Sequence, residues 1–150
     1  MGADLFIDSL YEPQRRQWEP RFEEAVRERD RHERGTAEYE EAQERVNECY
    51  DRMYAHGYFR DSYNDSNVLW KFGLSWGRDV MPLLKDGTQE LSPVAAGLLL
   101  QQLEARQEVF EENMLKLRQS DRRYFRREAV ALKDFLKTAI KRQEAIRCSV

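Results

Sequence analysis

The sequence has 150 residues and a mass of 18.0 kDa, enough for one domain that buries roughly 70% of the surface its unfolded chain exposes. Leu, Ile, Val and Phe supply 22% of it, just above the roughly 20% typical of disordered chains, so a folded core is expected. Charged residues reach 35% while β-branched residues are scarce, which favours solvent-facing helices over a large sheet, and a net charge of −3 with pI near 5.6 argues against a dedicated nucleic-acid binder.

The longest apolar run, Val94 to Leu100, has seven residues, far short of the roughly 20 that span a bilayer. Asp4 and Asp8 near the start, with no basic region, do not make a signal-peptide pattern. Met1-Gly2 lacks the Ser or Thr that myristoylation needs at position 6, and Cys148 stands one residue too late for prenylation. Cys49 and Cys148 read as two reduced thiols of a cytoplasmic protein.

Along the chain, Leu5-Phe6-Ile7 suits a short strand or an extended arm. Pro13 and Pro20 both suit first-turn positions, and Trp18, Phe22, Ala25 and Val26 predict a helix from about Pro20 to His32, ended by Gly35. Thr36 caps the next helix, whose stripe of Tyr39, Ala42, Val46, Cys49, Tyr50 and Met53 runs to Gly57. Residues 58–67, dense in aromatic, Asn, Asp and Ser side chains, read as an ordered loop. Val68, Trp70, Phe72, Leu74 and Trp76 alternate as a strand would, but Ser66 and Ser75 as caps and Gly73 as a stop favour two short helices. The rival reading pairs this stretch with residues 4–10 as a β-ribbon. Ser92-Pro93 then opens a helix to about Leu117 with Leu99, Leu103 and Phe110 on one face. After a break at Gln119-Ser120, a second helix carries Phe125, Ala129, Leu132, Leu136, Ala139 and Ile146.

The expected fold is therefore mostly α: a single-domain helical bundle over residues 1–150, built on a long C-terminal αα-hairpin of residues 92–147, with a short N-terminal β-ribbon as an option. The hairpin suits its own core as well as a second copy, so a homodimer is compatible with it.

Charge is uneven. Residues 116–147 hold 11 basic and four acidic side chains, and helical projection groups Arg122, Arg126, Lys133, Lys137 and Lys141, with Arg123 beside them near the helix start. This stripe is either an anion-binding track or a solvated face neutralised by the acidic helix of residues 36–48; the second reading weighs more.

No P-loop, dinucleotide fingerprint, nucleophile elbow or metalloprotease motif occurs. A calcium loop starting at Asp65 fails because Leu69 and Trp76 fall where oxygen ligands are needed. Cys49, His56 and Asp61 lack a fourth zinc ligand. No metal and no cofactor is expected. The candidate site is the segment of residues 58–79, where Tyr58, Phe59, Tyr63, Trp70 and Trp76 share space with Arg60, Asp61, Asn64, Asp65, Asn67, Arg78 and Asp79. Aromatic walls with a few fixed donors and acceptors suit a protein or small-ligand surface. The competing account spends the same groups internally, with Arg60–Asp61 and Arg78–Asp79 ion pairs and asparagines holding turns. The sequence thus leans towards a non-enzymatic binding module. Behind it stand anion binding by the last helix and an enzyme using Asp61, Asp65 or Asp79 as base.

Overall fold

A computed structural model describes residues 2–62 and 67–149, and it is mostly α-helical with a small four-stranded sheet. The chain divides into two compact units, one of residues 8–58 and one of residues 1–7 with 59–150.

The first unit is a helical hairpin of α1 (Asp8–Arg29) and α2 (Ala37–Met53). α1 starts well before the expected Pro20, and both prolines lie inside it. They stand seven residues apart, which is two turns, so both fall on one exposed face of the helix. There the missing N–H groups and the rings meet solvent rather than a packed surface. α2 begins as its sequence predicts: Thr36 Oγ1 accepts from Tyr39 N at 3.2 Å, and Ala42, Val46 and Met53 are buried. An aromatic ladder runs through the unit, with Tyr50–Tyr54 and Tyr54–Tyr58 ring centres 4.6 and 4.5 Å apart and Tyr11 stacked on Tyr54 at 5.7 Å. Burial, then the hydrogen bond with Tyr54, pushes the Tyr11 phenol up to about 12.

The second unit packs helices on an antiparallel sheet of order β2-β1-β4-β3. Its strands are β1 (Gly2–Phe6), β2 (Tyr58–Ser62), β3 (Glu90–Leu91) and β4 (Ile146–Ser149). The N-terminal strand is as expected, but its partners are β2 and β4, and the stretch from Val68 to Trp76 is not extended. β1 and β4 pair Leu5 with Cys148 and Phe6 with Arg147. The alternation is that of a half-buried sheet: Ala3, Leu5, Ile146 and Cys148 face the core, while on the opposite face the Arg147 guanidinium lies 4.2 Å from the Phe6 ring centre.

Short elements follow β2. α3 (Val68–Lys71) is capped by Asn67, whose Oδ1 accepts from Trp70 N at 2.6 Å; the expected Ser66 cap lies outside the described residues. Gly73, at φ +73, reverses the chain. Ser75 then caps a wide turn over Trp76–Val80, followed by a 3₁₀ turn over Met81–Leu83.

The C-terminal hairpin departs from expectation twice. Its first arm is not one helix but α4 (Pro93–Ala105) and α5 (Gln107–Leu115), interrupted at Arg106, where the Arg106 N–H reaches back only three residues, to Leu103 O at 3.2 Å. Between Leu103 and Phe110 nothing on the helix is buried, so no core contact holds that turn in register. The break re-aims α5: Phe110 stacks on Phe72 at 4.5 Å and Asn113 Nδ2 donates to Lys71 O at 2.9 Å. The second arm, α6 (Gln119–Arg142), buries Phe125, Ala129, Leu132, Phe135, Leu136 and Ala139. It stops four residues before Ile146, because Gln143 turns left-handed at φ 54 and the period changes from helical to two, placing Ile146 in β4. The arms run antiparallel, since Glu111 pairs with Arg126 while Gln107 pairs with Lys133.

Candidate functional site

The expected loop of residues 58–67 begins instead as an edge strand. Asp61 sits at its buried end, 8% exposed. Its carboxylate accepts from Val68 N at 2.9 Å, Leu69 N at 3.2 Å, Ser62 N at 3.1 Å and Trp76 Nε1 at 3.0 Å. One side chain thereby ties β2, the start of α3 and the Trp76 turn together. Burial pushes the Asp61 carboxyl up, against these four donors, which favour its ionised form.

Most of the other predicted polar groups are also engaged by their own chain. Asn67 caps α3. Asp79 accepts from Ser75 N at 2.8 Å while Ser75 Oγ accepts from Arg78 N, a reciprocal cap. Arg78 pairs with Asp79 at 2.8 Å and donates to Gly73 O at 3.0 Å. That Arg78–Asp79 pair holds the Asp79 carboxyl below its usual range. Arg60 lies 3.8 Å from Asp4 across the sheet rather than against Asp61. Trp76 and Phe59 are core residues, Phe59 lying 6.2 Å from Phe135. Tyr58 belongs to the aromatic ladder of the first unit. Trp70 is 45% exposed. Tyr63, Asn64 and Asp65 lie outside the described residues.

A hollow nevertheless opens beside this knot. A groove of about 830 Å³ has Arg60, Asp61 and Ser62 of β2 along one wall. Opposite stand Lys71 at the end of α3 and Leu117, Asp121, Tyr124 and Phe125 around the start of α6. The Lys71 ammonium sits 4.9 Å from the Phe125 ring centre, and Tyr124 is 48% exposed with its ring edge-on to Phe125 at 5.2 Å. Burial first, then the negative charges of Glu128 and Asp61, raises the Tyr124 phenol. Burial, then Asp61, raises the Glu128 carboxyl as well. The groove is bordered by two cations, Arg60 and Lys71, and by two carboxyl groups, Asp61 and Asp121. Comparison with models of protein families, with curated proteins and with solved structures finds no match to this chain.

Sequence reasoning missed the second wall. Lys71 was within reach, lying inside the segment of residues 58–79. Tyr124 carries a fainter signal: it sits one position, or 100°, from Phe125, at the border of the buried stripe of α6, where a half-wet aromatic suits a rim.

The cationic stripe of α6 divides in two. Arg122 donates to Leu117 O at 2.8 Å, closing the C-terminal end of α5. Arg126 makes a two-pronged pair with Glu111 at 2.8 and 2.7 Å, and Lys133 donates to Gln107 at 2.8 Å. Arg123, Lys137 and Lys141 are exposed, with no partner among the described residues. Among those residues no cluster of His, Cys, Asp or Glu forms a metal site, and no helix is long and apolar enough to cross a membrane.

Proposed function

We propose that this protein is a binding module that recognises a partner through the groove between β2 and the start of α6. The observation that carries the reading is the coincidence of open volume with unlike walls. About 830 Å³ falls within the roughly 300–1,000 Å³ of ligand sites, and it lies between charged Arg60 and Lys71 and the half-exposed ring of Tyr124. Binding is favoured over catalysis because two of the carboxylates that the sequence offered for general-base work are already committed. Asp61 accepts four N–H groups, and Asp79 is held by Ser75 and Arg78. A base so engaged lacks a free lone pair aimed at a substrate proton.

The test uses the immobilised full chain beside the Lys71→Glu and Tyr124→Ala variants, each checked for unchanged helical circular dichroism. Both side chains lie at the surface of the groove, so the fold should survive. Binding components recovered with the native chain and lost with both variants support the reading. An identical set recovered with all three overturns it.

A further inference from the structure

We infer that the outward face of α6 docks on the outward face of α2 in a second copy of this chain. The contact joins two surfaces of opposite sign and is separate from the groove.

The cationic face lies on α6, whose buried residues Phe125, Ala129, Leu132, Leu136 and Ala139 run along one side. The positions directly opposite, in steps of four and three, are Arg123, Arg127, Val130, Asp134, Lys137 and Lys141, and all of them are exposed. They form a straight row about 27 Å long. Asp134 offsets part of it and leaves both ends cationic. Arg122, Arg126 and Lys133, by contrast, are spent within the fold on Leu117 O, Glu111 and Gln107.

α2 repeats the arrangement with the sign reversed. Ala42, Val46 and Met53 are its buried side. Opposite them Glu40, Glu44, Glu48 and Asp51 are exposed, with Asn47 between and no cation in the row. Arg45 and Arg52 lie at the flanks, Arg45 paired with Glu41 at 3.2 Å and Arg52 placed 5.7 Å from the Trp18 ring centre. The four carboxylates of the row have no partner among the described residues.

Both faces break a local rule. Unlike charges three or four positions apart stabilise a helix, and like charges there destabilise it. α1 keeps the rule, pairing Arg15 with Glu12 and Glu19. α6 instead sets Arg123 four positions before Arg127 and Lys137 four before Lys141, while α2 sets Glu40, Glu44 and Glu48 at successive fours. Where a surface departs from a local rule without an internal gain, a use outside the fold accounts for it. Each face carries the charge the other lacks, so one contact relieves the repulsion on both. Two α6 rows, or two α2 rows, repel each other. Because both faces are open to solvent within the single chain, the neutralising surface belongs to another molecule.

The experiment is sedimentation equilibrium of the full chain at low and moderate salt. Raising ionic strength from about 0.01 to about 0.15 M cuts the screening length from about 30 to about 8 Å, and self-association should weaken about tenfold or more. At low salt Lys137→Glu/Lys141→Glu and Glu40→Lys/Glu44→Lys should each weaken it by about as much. Reversing two glutamates takes the net charge of the second variant from −3 to +1, so general repulsion cannot account for its loss. An equimolar mixture of the two should associate again, because each reversed face then meets an unlike one. All four side chains are exposed, so the helical circular dichroism should not change. If a double variant loses helicity, Lys141→Gln and Glu44→Gln ask the same question one charge at a time. A native chain that stays monomeric at low salt overturns the contact. So does association undiminished in either double variant, or a mixture that associates no better than its components.

Discussion

Removing the Asp61 carboxylate should cost more stability than any other single polar truncation in the second unit. In Asp61→Ala four donors lose a charged acceptor: Val68 N at 2.9 Å, Leu69 N at 3.2 Å, Trp76 Nε1 at 3.0 Å and Ser62 N at 3.1 Å. A hydrogen bond to a charged group contributes about 1.5–3 kcal/mol, and a buried donor left without an acceptor costs about 1–3 kcal/mol. The carboxylate's own desolvation is recovered on truncation, so the net loss expected is about 3–5 kcal/mol. Asp61→Asn keeps one oxygen and should lose roughly half as much. Urea unfolding followed by circular dichroism and tryptophan fluorescence measures both, with an unchanged slope confirming a loss of stability alone. The pH dependence has a definite sign. Because burial lifts the folded carboxyl above its unfolded value of roughly 3.9, the folded state holds this proton more tightly than the unfolded chain. The advantage of the native chain over Asp61→Asn is then full below about pH 4 and shrinks as pH rises through the raised value. A loss below about 1 kcal/mol in Asp61→Ala, or an advantage that grows with pH, would refute the account of Asp61 as a buried knot.

Gly73→Ala should destabilise by about 1–2 kcal/mol in the same assay, since φ is +73 and the added Cβ would stand 3.4 Å from Arg106 Nη1 and 3.5 Å from Val109 Cγ1. A neutral substitution would contradict the left-handed turn. Thiol labelling at pH 8 should modify Cys49 alone in the folded protein, because Cys148 is buried and its thiol is pushed up to about 12; two thiols reacting at one rate would contradict the burial of β4. In ultraviolet titration one tyrosine should ionise near pH 12 and vanish from the curve in Tyr11→Phe. Its contribution to stability is full below the unfolded value of about 10 and is lost as pH rises from there to about 12.

The fold was legible where a local rule had no competitor. Thr36, Ser75 and Ser92 each accept from the backbone N–H three residues on, and the sequence marks all three as caps. The mostly α class and the antiparallel C-terminal arms follow from the four- and three-residue steps of α6. The misses came where tertiary contacts overrode local preference. Pro13 and Pro20 suggested helix starts, yet a helix long enough to pack along α2 runs through both at its solvent face. Leu103 and Phe110 share a face on paper, but the contacts of Phe110 and Asn113 with Phe72 and Lys71 re-aim the helix and break it at Arg106. Ile146 fits the apolar repeat of α6 equally well as the first inward residue of β4, and pairing with Leu91 decides for the strand.

The site was half legible for a chemical reason. Asp, Asn and Ser make turns because their short side chains bond nearby backbone, and the same property makes them helix caps. Their abundance in residues 58–79 therefore could not distinguish surplus recognition groups from structural ones. Asp61, Asn67, Ser75 and Asp79 each accept a backbone N–H of the same segment. Arg60 and Lys71, whose side chains reach past the local backbone, border the groove instead. The matching wall on α6 lies more than fifty positions away in the chain, so no local pattern links Tyr124 to Arg60. The link exists because Asp61 pins β2 against α3, and α3 in turn lays Lys71 over Phe125. The residue that gave the segment its catalytic look is thus a positioning residue: its hydrogen bonds to α3 hold the two walls of the groove in place.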